Sequence, residues 1–590
     1  MVKRFVCCVA LASAALSLFG AGTYYAKPDG TDDATCADEA NAGSLVNALQ
    51  KLKDAKGGTV YLADGTYDYA SSCATGQESF FTNSVSLTLR SLSDDRTKVT
   101  IKGGGREKPV RFLRMSAIGL TITMRGITFS GCSSDIGGVY YALDSESTIT
   151  NCVFTNCYAS SSSGCLQLER ENTGYNTVKI HDSVFVDNYA EQGNSCFGGK
   201  KLSYNCYGCT FLRNDISPTA TGGYNCSSAG GNFEDCLIVS NVSSRTPFLC
   251  GSTLTRTVAC YNQATNALTG GGVFYHGGNM VVTDCAFTNN TCNMNGGVCY
   301  NDQATGSDVS NFYRTEFVGN KSPGGYGAFY VRRFAHFYDC TYIGNDSGCG
   351  SHLSGGTADR CYFTNNTGRA ISNLNANDCT VIDSDFGASG GGRTIERCRF
   401  IGLKGETASQ FSGTDTARMT MRNCLVRNCK ATNYNGGHMF VSVDLYNTTV
   451  VGTSGGRPGD WNNTVFAKGT VTNCIFADND ACVCSDEIFS QKNASAVTVK
   501  NSVYRSGGVT IINSKTLAEL EADGTPLKFV GTGDDPYQLK RTSYGVDGGA
   551  DVGYTDEDTD LLGNPRVVRS AVDLGCYEYM PRIGLLLMVR

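Results

Sequence analysis

One short stretch of the chain brings together the side-chain types that acid–base catalysis uses. Arg332 and Arg333 are followed by His336 and then by Asp339. A histidine can move a proton near neutral pH, and arginines and a carboxylate can orient or stabilise charge beside it. The alternative is a solvated strand edge with an ion pair, because most charged clusters on a regular face only serve solvation. These four residues are the catalytic candidates of the sequence.

A second stretch has the residue type that calcium prefers. Asp556, Asp558 and Asp560 alternate with other residues near the C-terminus, and Ca²⁺ takes carboxylate oxygens as ligands. The spacing lacks both the glycine and the distal glutamate of an EF-hand loop, so a solvated turn is the alternative. The histidines are scattered, and no other metal centre and no cofactor are expected.

The elements that must hold these residues belong to a repeat with the pattern apolar-x-x-Cys-x-aromatic-x-x-Asn. Aligned on the cysteine column, the copies recur about every 25 residues and contain Ile127, Cys152, Ser183, Cys209, Cys236, Val258, Cys285, Thr315, Cys340, Cys361, Cys379, Cys398, Cys424, Thr448, Cys474 and Ser502. Small or apolar residues alternate with polar ones, which is typical of a strand with one buried face. No copy has a helical stretch. The predicted fold is therefore all-β, a right-handed parallel β-helix solenoid with an N-terminal helical cap and a C-terminal cap segment.

Two further columns are expected to point inward. Two residues after the cysteine column, stacked phenylalanine rings would bury apolar area in nine copies: Phe129, Phe154, Phe185, Phe211, Phe287, Phe317, Phe363, Phe400 and Phe476. Three residues further, asparagine tolerates a left-handed bend and can hydrogen-bond between coils in eight copies: Asn188, Asn214, Asn241, Asn290, Asn320, Asn345, Asn366 and Asn479. Cys132, Cys157 and Cys429 take the asparagine position in three other copies.

The column directly before the cysteine is expected to point outward by alternation. Over six consecutive copies its charge alternates: Asp284, Arg314, Asp339, Arg360, Asp378 and Arg397. Opposite charges are then neighbours at each step, which predicts a surface ion-pair ladder that helps to set the register. Chance alternation is the alternative. Because arginine interrupts the aspartates at every second coil, the column would make a poor cleft for a polyanion.

Cysteine is common, with 29 residues, ten of them in the repeat column. At single-coil spacing on an inward face, cysteine behaves as a small hydrophobe, which predicts free thiols. Disulfides between adjacent coils are the alternative, because neighbouring strands lie close enough to allow them.

Composition and the N-terminus narrow the functional class. The formal net charge is −6 and no basic run is present, so nucleic-acid binding is not expected. Residues 1–22 are predicted to be a secretory signal peptide, because Lys3 and Arg4 precede an apolar run and small residues precede Thr23. No later segment is long enough to cross a bilayer as a helix, so no transmembrane helix is expected in the mature chain.

The rest of the chain divides into four predicted segments. Residues 23–79 form an N-terminal cap with the first strands, including a short helix over 44–55 with Ser44 as its N-cap. Residues 80–513 form the β-helix repeats. Residues 514–580 form a C-terminal cap segment, and residues 581–590 form a short apolar tail.

Three parts of the sequence resemble known families. "TYYAKPDGTDD…LVNALQKLKDAKGGTVYLADGTY" (23–67) resembles the opening of secreted pectate-lyase-like β-helix proteins. The pairing of Phe-x-x-Asn with elements such as Gly271-Gly-Val273 resembles the repeats of chlamydial polymorphic outer-membrane proteins, which are surface adhesins and autotransporters. "DTDLLGNPRVVRSAVDLGCYEY" (558–579) resembles a C-terminal segment of many bacterial surface β-helix proteins.

These features predict a non-catalytic, surface-exposed β-helix protein that is secreted and is extracellular or associated with the outer membrane. The resemblance to surface adhesins implies adhesion, or binding of a polysaccharide or a host surface. The resemblance to pectate lyases implies the alternative, a secreted polysaccharide lyase or glycoside hydrolase. The expected partner is a polysaccharide or another cell surface.

Overall fold

The structure is a computed structural model of the chain. It describes residues 22–170, 176–220, 224–226, 230–245, 247–249, 253–265, 271–276, 278–293, 296–301, 309–322, 328–331, 334–346, 349–350, 355–405, 409–431, 438–455, 468–479, 497–504 and 510–581. The predicted signal peptide up to residue 21, Arg332, Arg333 and residues 582–590 of the predicted tail lie outside the described residues. The chain divides into two compact units: unit 1 holds residues 1–188 and 197–202, and unit 2 holds residues 189–196 and 203–590.

The predicted all-β class is confirmed, because each unit consists of short strands stacked coil on coil with only three short helices among the described residues. Strands of successive coils pair in parallel and in register, for example Phe154 beside Phe185 in unit 1 and Phe287 beside Phe317 in unit 2. This is a parallel β-helix, and right-handed winding is the hand that parallel crossovers take. In the described part of the chain, no helix is both long enough and apolar enough to span a bilayer.

Unit 1 has three faces and a short corner. Its first face contains Gly22–Ala26, Gly58–Leu62, Leu87–Ser91, Thr121–Arg125, Glu146–Thr150 and Asn176–His181. Its second face contains Gly65–Asp68, Val99–Lys102, Thr128–Ser130, Val153–Thr155 and Val184–Val186. Its third face contains Ser79–Asn83, Arg111–Met115, Tyr140–Leu143 and Leu166–Glu169, and its corner strands are Ser133–Ile136 and Tyr158–Ser162. Strands Asn194–Gly198 and Leu202–Tyr207 contain residues assigned to both units.

Unit 2 repeats the same coil. Its first face contains Gly230–Glu234, Thr253–Thr255, Met280–Thr283, Val309–Tyr313, Phe334–Tyr338, Gly356–Asp359, Asn375–Asn377, Thr394–Glu396, Met419–Arg422, Val443–Tyr446, Gly469–Thr472, Val497–Lys500 and Thr510–Ile512. Its second face contains Thr210–Leu212, Leu237–Val239, Val258–Cys260, Ala286–Thr288, Glu316–Val318, Thr341–Ile343, Tyr362–Thr364, Thr380–Ile382, Arg399–Ile401, Leu425–Arg427, Thr449–Val451, Ile475–Ala477, Val503–Tyr504 and Lys515–Thr516. Its third face contains Tyr224–Cys226, Phe248–Leu249, Phe274–His276, Cys299–Asn301, Phe329–Val331, Cys349–Gly350, Arg369–Ser372, Phe386–Ser389, Ser409–Ser412 and His438–Val441. Its corner strands are Tyr189–Ala190, Asp215–Ile216, Val242–Ser243, Gln263–Ala264, Thr291–Cys292, Lys430–Ala431 and Ser454–Gly455.

The helices lie near the two ends of the sequence. Helix α1 (Leu45–Asp54) begins after the predicted N-cap Ser44, whose hydroxyl accepts from the Asn47 amide at 3.1 Å. Its buried leucines pack on the first strands, so it forms the predicted N-terminal cap. Helix α2 is the single turn Tyr69–Ser72, and α3 (Leu517–Ala522) begins with a capping box between Thr516 and Glu519.

The cysteine and phenylalanine columns are inward, as predicted. All nine phenylalanines of the column are buried, and rings of neighbouring coils stack, with centroids 4.6 Å apart for Phe154 and Phe185. The described cysteines whose side-chain surroundings are defined, which leaves out Cys226 and Cys349, are free thiols, and all of them except Cys260 are buried. Burial raises the pKa of the Cys474 thiol to about 12, as expected for a residue that serves as a small hydrophobe.

One position of the predicted cysteine column is wrong. Val258 is 41 % exposed, and Thr257 is the buried residue in this coil. The strand register pairs Val258 with Leu237, which places Thr257 beside Cys236. Threonine fits the column because its hydroxyl donates to the Phe233 carbonyl at 3.3 Å. A one-residue shift reverses which side chains face inward, so the sequence alignment in this copy had the wrong phase.

The asparagine column is also inward, and it forms a continuous hydrogen-bonded series in unit 2. Each side-chain amide donates to the next side-chain oxygen, at 2.9–3.1 Å, through Asn214, Asn241, Asn262, Asn290, Asn320, Asn345 and Asn366. Asn262 is a member that the predicted column missed, for the same phase error. The expectation that these asparagines take the left-handed bend is wrong, because the residue before each of them does so, for example Asn289 and Asn365 with φ of 53° and 54°.

The charged column points outward and forms ion pairs, as predicted. Its residues lie at the other left-handed bend of the coil, so the bend, and not strand alternation, turns their side chains to the surface. Each arginine binds the aspartate one coil earlier through two hydrogen bonds, in the pairs Asp284–Arg314, Asp339–Arg360 and Asp378–Arg397. The same pattern begins earlier with Asp235 and Arg256.

Asparagine replaces charge in this column where the C-terminal segment lies over unit 2. Asn423, Asn447 and Asn473 donate side-chain hydrogen bonds to the carbonyls of Thr559, Asp573 and Ala550, at 2.8–3.1 Å. Beside them, an apolar cluster forms between the second face and the segment, with these members: Leu425, Val451, Ile475, Ala477, Val503, Leu520, Leu539, Leu561, Leu574, Cys576 and Tyr577. An amide can satisfy a buried backbone group without carrying a charge, which suits a covered surface.

Candidate functional site

Two of the four catalytic candidates, His336 and Asp339, are described. His336 lies on the outer side of Phe334–Tyr338, with its Nδ1 2.9 Å from the Thr357 hydroxyl oxygen. Partial burial lowers the pKa of His336, so its ring is neutral at pH 7. Asp339 instead binds Arg360, with oxygen–nitrogen distances of 2.7 and 2.9 Å, and these bonds lower the pKa of Asp339. His336 and Asp339 therefore have different partners among the described residues, and catalysis here stays a prediction.

The calcium candidates do not present a common set of oxygens. Asp560 is buried, and its carboxylate accepts hydrogen bonds from the backbone amides of Leu562, Asn564 and Glu578. Asp558 accepts from both the amide and the hydroxyl of one threonine in its own turn. These bonds are those of a structured turn, and calcium binding stays a prediction. Within the described ranges, no three His, Cys, Asp or Glu side chains are grouped as metal ligands would be.

A different group of side chains stands out on the first face of unit 1. Tyr25, Tyr61, Arg90 and Arg125 occupy the same register position on four successive strands, and we call them the tyrosine–arginine row. Alternation turns them outward, because their neighbours Ala26, Leu62, Leu89 and Met124 are buried. The two tyrosine rings stack with centroids 5.4 Å apart, and the Arg90 guanidinium lies 5.3 Å from the Tyr61 ring centre.

A column of hydroxyl groups runs beside this row, two residues earlier on each strand. Thr23, Thr59, Thr88, Thr123 and Thr148 are paired in register from strand to strand, and we call them the threonine row. All five are exposed or half-buried. Over its first four coils, the first face of unit 1 thus offers one hydroxyl and one aromatic or guanidinium group per coil.

The two arginines of the tyrosine–arginine row differ in their surroundings. Arg125 binds Asp94 through two hydrogen bonds, one of them 2.8 Å, and these bonds lower the pKa of Asp94. Arg90 makes no hydrogen bond or ion pair with any described residue, and its Nε is buried without an acceptor. A buried donor without an acceptor costs free energy, but Nε itself is shielded from solvent, so an external acceptor would bind the solvent-facing part of the half-buried Arg90 side chain.

The chemistry of this surface suits a chain of acidic sugars. A guanidinium forms two parallel hydrogen bonds with a carboxylate, stacked tyrosines offer an apolar platform with polar edges, and threonine hydroxyls can donate or accept. Because these groups recur once per coil, an extended ligand can contact several of them at once.

Sequence reasoning missed this surface because the first coils lack the Cys–Phe–Asn signature. The available signal was the spacing Thr-x-Tyr or Thr-x-Arg, which occurs as Thr23-x-Tyr25, Thr59-x-Tyr61, Thr88-x-Arg90 and Thr123-x-Arg125. Only the strand register shows that the four copies are neighbours.

Comparisons with known proteins find similar solved structures but no similar family or curated sequence. No protein-family model matches the sequence, and no curated protein matches it either. Among solved structures the chain is similar to the pectate lyase Pel9A, with 12% identity over 94% of this chain and 96% of that chain and a TM-score of 0.26. It is also similar to a rhamnogalacturonan lyase, with 11% identity over 82% and 87% of the two chains and a TM-score of 0.19.

A third similar structure is a mannuronic acid specific polysaccharide family 6 lyase from the human gut microbiota. It shares 9% identity over 85% of this chain and 94% of that chain, with a TM-score of 0.19. All three are lyases by name. Likenesses of this strength assign neither an activity nor a site to the present chain.

Proposed function

We propose that this protein is a secreted surface protein that binds an extended acidic polysaccharide along the first face of unit 1 without cleaving it. The observation that carries the proposal is Arg90, a half-buried guanidinium with no hydrogen-bonding partner among the described residues. It lies between a stacked tyrosine pair and a second arginine, beside the threonine row. A sugar carboxylate would bind the guanidinium while the sugar ring contacts the outward edges of the stacked tyrosines.

The row favours binding over hydrolysis because none of its four side chains is a carboxylate. Glycoside hydrolysis uses a pair of carboxylates. Lyases and glycoside hydrolases both need a group that accepts a proton or attacks the sugar. Asp94, the carboxylate that binds this row through Arg125, stays ionised.

The test is a titration of the full chain with polygalacturonate, and with dextran of matched length as the neutral probe. We expect saturable binding of polygalacturonate that weakens with salt, and no binding of dextran at the first face. Arg90→Gln should weaken binding by at least about tenfold, since a lost hydrogen bond to a charged group is worth about 1.5–3 kcal/mol. Arg369→Gln, an exposed arginine of unit 2, is the matched control.

The same mixtures are assayed for unsaturated products and for new reducing ends. Their appearance would contradict the non-catalytic part of the proposal and favour the lyase or hydrolase alternative. Equal affinity for polygalacturonate and dextran, or equal affinity of the Arg90 and Arg369 variants, would contradict the assignment of the site.

A further inference from the structure

Unit 1 also contains an open cleft on a different part of its surface, formed by turns and corner strands and not by the first face. The cleft has a volume of about 320 Å³ and is lined by Gln77, Glu78, Arg106, Ser134, Asp135, Tyr158 and Ser160, with Gly76 and Pro109. Pockets that bind small organic ligands have volumes of about 300–1,000 Å³. The cleft is therefore large enough for a compact ligand.

A buried arginine holds the inner side of the cleft rigid. The Arg111 side chain is 6 % exposed, and its Nε donates to the carbonyls of Ile136 and Gly137 at 2.9 and 3.1 Å. Its terminal nitrogens donate to the Ser79 and Ser134 hydroxyls and to Asp135 Oδ1, at 3.1, 2.8 and 3.0 Å. Since these bonds use its donors, Arg111 supports the cleft and does not serve as a free cation.

The hydrogen bond from Arg111 orients the Asp135 carboxylate and leaves one of its two oxygens available to a ligand. Asp135 Oδ1 accepts from Arg111, from the Ser134 hydroxyl at 2.7 Å and from the Ile136 amide at 2.8 Å. Among the described residues Oδ2 has no hydrogen bond, and the side chain is 70 % exposed. The hydrogen bonds and Arg111 outweigh partial burial and lower the pKa of Asp135, so it stays an acceptor at neutral pH.

Other lining residues of the cleft supply an aromatic ring and a second carboxylate. The Arg106 guanidinium lies over the Tyr158 ring, 4.6 Å from its centre. Glu78 is 80 % exposed and lies 3.5 Å from Arg114. Stacked on each other, Tyr158 and Arg106 form a flat surface edged by hydrogen-bond donors.

The charges around the cleft indicate a neutral ligand. Asp135 and Glu78 are each paired with one guanidinium, from Arg111 and Arg114 respectively, and the third guanidinium, of Arg106, lies over the Tyr158 ring. An anionic ligand would face both carboxylates, and a cationic ligand would compete with Arg106 for the tyrosine ring. A polyhydroxyl ring can instead donate to the carboxylates and accept from Arg106, without adding charge.

We propose that this cleft binds a single neutral sugar ring, whose hydroxyls donate to Asp135 Oδ2 and Glu78 and whose flat side contacts the Tyr158–Arg106 stack. The site is independent of the tyrosine–arginine row, which takes acidic sugars through a guanidinium. The chain would then recognise two chemically different parts of a glycan, or two different glycans.

The test is a titration of the full chain with the methyl glycosides of glucose, galactose, mannose and N-acetylglucosamine, followed by saturation-transfer NMR and calorimetry. Methyl glucuronide and agmatine are the anionic and cationic probes. We expect at least one neutral glycoside to bind saturably and both charged probes to bind at least tenfold more weakly. Glu78→Gln and Asp135→Asn should each weaken the neutral glycoside at least threefold, and Arg369→Gln should not change it.

Glu78→Gln keeps the test decisive if Asp135→Asn disturbs the turn, because the Glu78 side chain is mostly exposed. Absence of saturable binding by every neutral glycoside would overturn the proposal. So would preferential binding of agmatine, or unchanged binding in both carboxylate variants. If Arg90→Gln abolished sugar binding while both carboxylate variants kept it, the sugar would bind at the tyrosine–arginine row, and the cleft proposal would be wrong.

Discussion

The asparagine series of unit 2 allows a sharp prediction at Asn290. Its side-chain oxygen accepts from the amide and the side chain of Asn262, at 3.0 and 2.9 Å. Its side-chain nitrogen donates to the Ala259 carbonyl at 2.9 Å and to the Asn320 side-chain oxygen at 3.0 Å. Asn290→Ala removes all four bonds at a position that is fully buried.

The expected loss of unfolding free energy depends on which groups keep another hydrogen-bonding partner. The Asn262 side chain still donates to two backbone carbonyls, and the Asn320 oxygen still accepts from the amide of residue 290. The Asn262 amide loses its acceptor, which costs about 1–3 kcal/mol, and each lost bond of the other groups adds about 0.5–1 kcal/mol. We expect Asn290→Ala to lower the free energy of unfolding by about 3 kcal/mol.

The assay combines urea denaturation with amide hydrogen exchange. Asn311→Ala is the matched control, because Asn311 is half-buried on the outer side of the first face and should cost less than about 0.5 kcal/mol. Exchange of peptides containing the Asn262 amide should become faster in Asn290→Ala only. Equal midpoints for the two variants, or unchanged exchange at Asn262, would refute the reasoning that the series supports the coil.

Three further outcomes are expected. Replacing Arg360 by methionine should cost only about 0.2–1 kcal/mol and less at high salt, since its pair with Asp339 is largely exposed; a larger, salt-independent loss measured by urea denaturation would contradict this. Burial among carboxylates raises the pKa of Glu578 from 4.5 to about 8. Because the folded state then holds this proton more tightly than the unfolded state, the contribution of Glu578 to the free energy of unfolding is complete below about pH 4.5. It is lost as the pH rises towards 8, by at most about 1.4 kcal/mol per pH unit. Denaturation across this range should show a flatter profile for Glu578→Gln, and an unchanged slope would exclude Glu578 as the cause. Leu574→Ala should destabilise the packing of the C-terminal segment by about 2–5 kcal/mol, seen as protease cleavage in residues 523–581 before the repeats are cut; simultaneous cleavage of both would show that they unfold together.

The repeat was predictable because each of its columns has a local physical requirement. The phenylalanine column needs large apolar side chains, the cysteine column needs small ones, and both requirements recur in every coil whatever the loops do. The outward position of the charged column was also predictable from the sequence, and its ion pairs form as expected. The phase error at Val258 came from a copy where threonine and alanine replace the diagnostic residues, so pattern alone could not distinguish two adjacent registers.

The surfaces proposed to bind glycans were not predictable in this way. The interval between partners in the asparagine column varies from 18 residues (Asn366 to Ser384) to 31 residues (Cys157 to Asn188). With coils of such different length, chain distance does not tell which outward side chains are neighbours. Arg90 and Tyr61 lie on adjacent strands, and Asp135 and Glu78 line one cleft, although neither pair stands out in the chain.

The sequence by itself determined the coil: alternation, small and aromatic inward columns and a recurring asparagine column permit little other than a parallel β-helix. The tertiary structure decided which outward residues share a surface, which asparagines bind the C-terminal segment, and that Arg90 makes no hydrogen bond or ion pair with a described residue. The physical reason is that burial constrains the type of each inward residue locally, whereas the outer surface depends on register, and register is set only when whole coils stack.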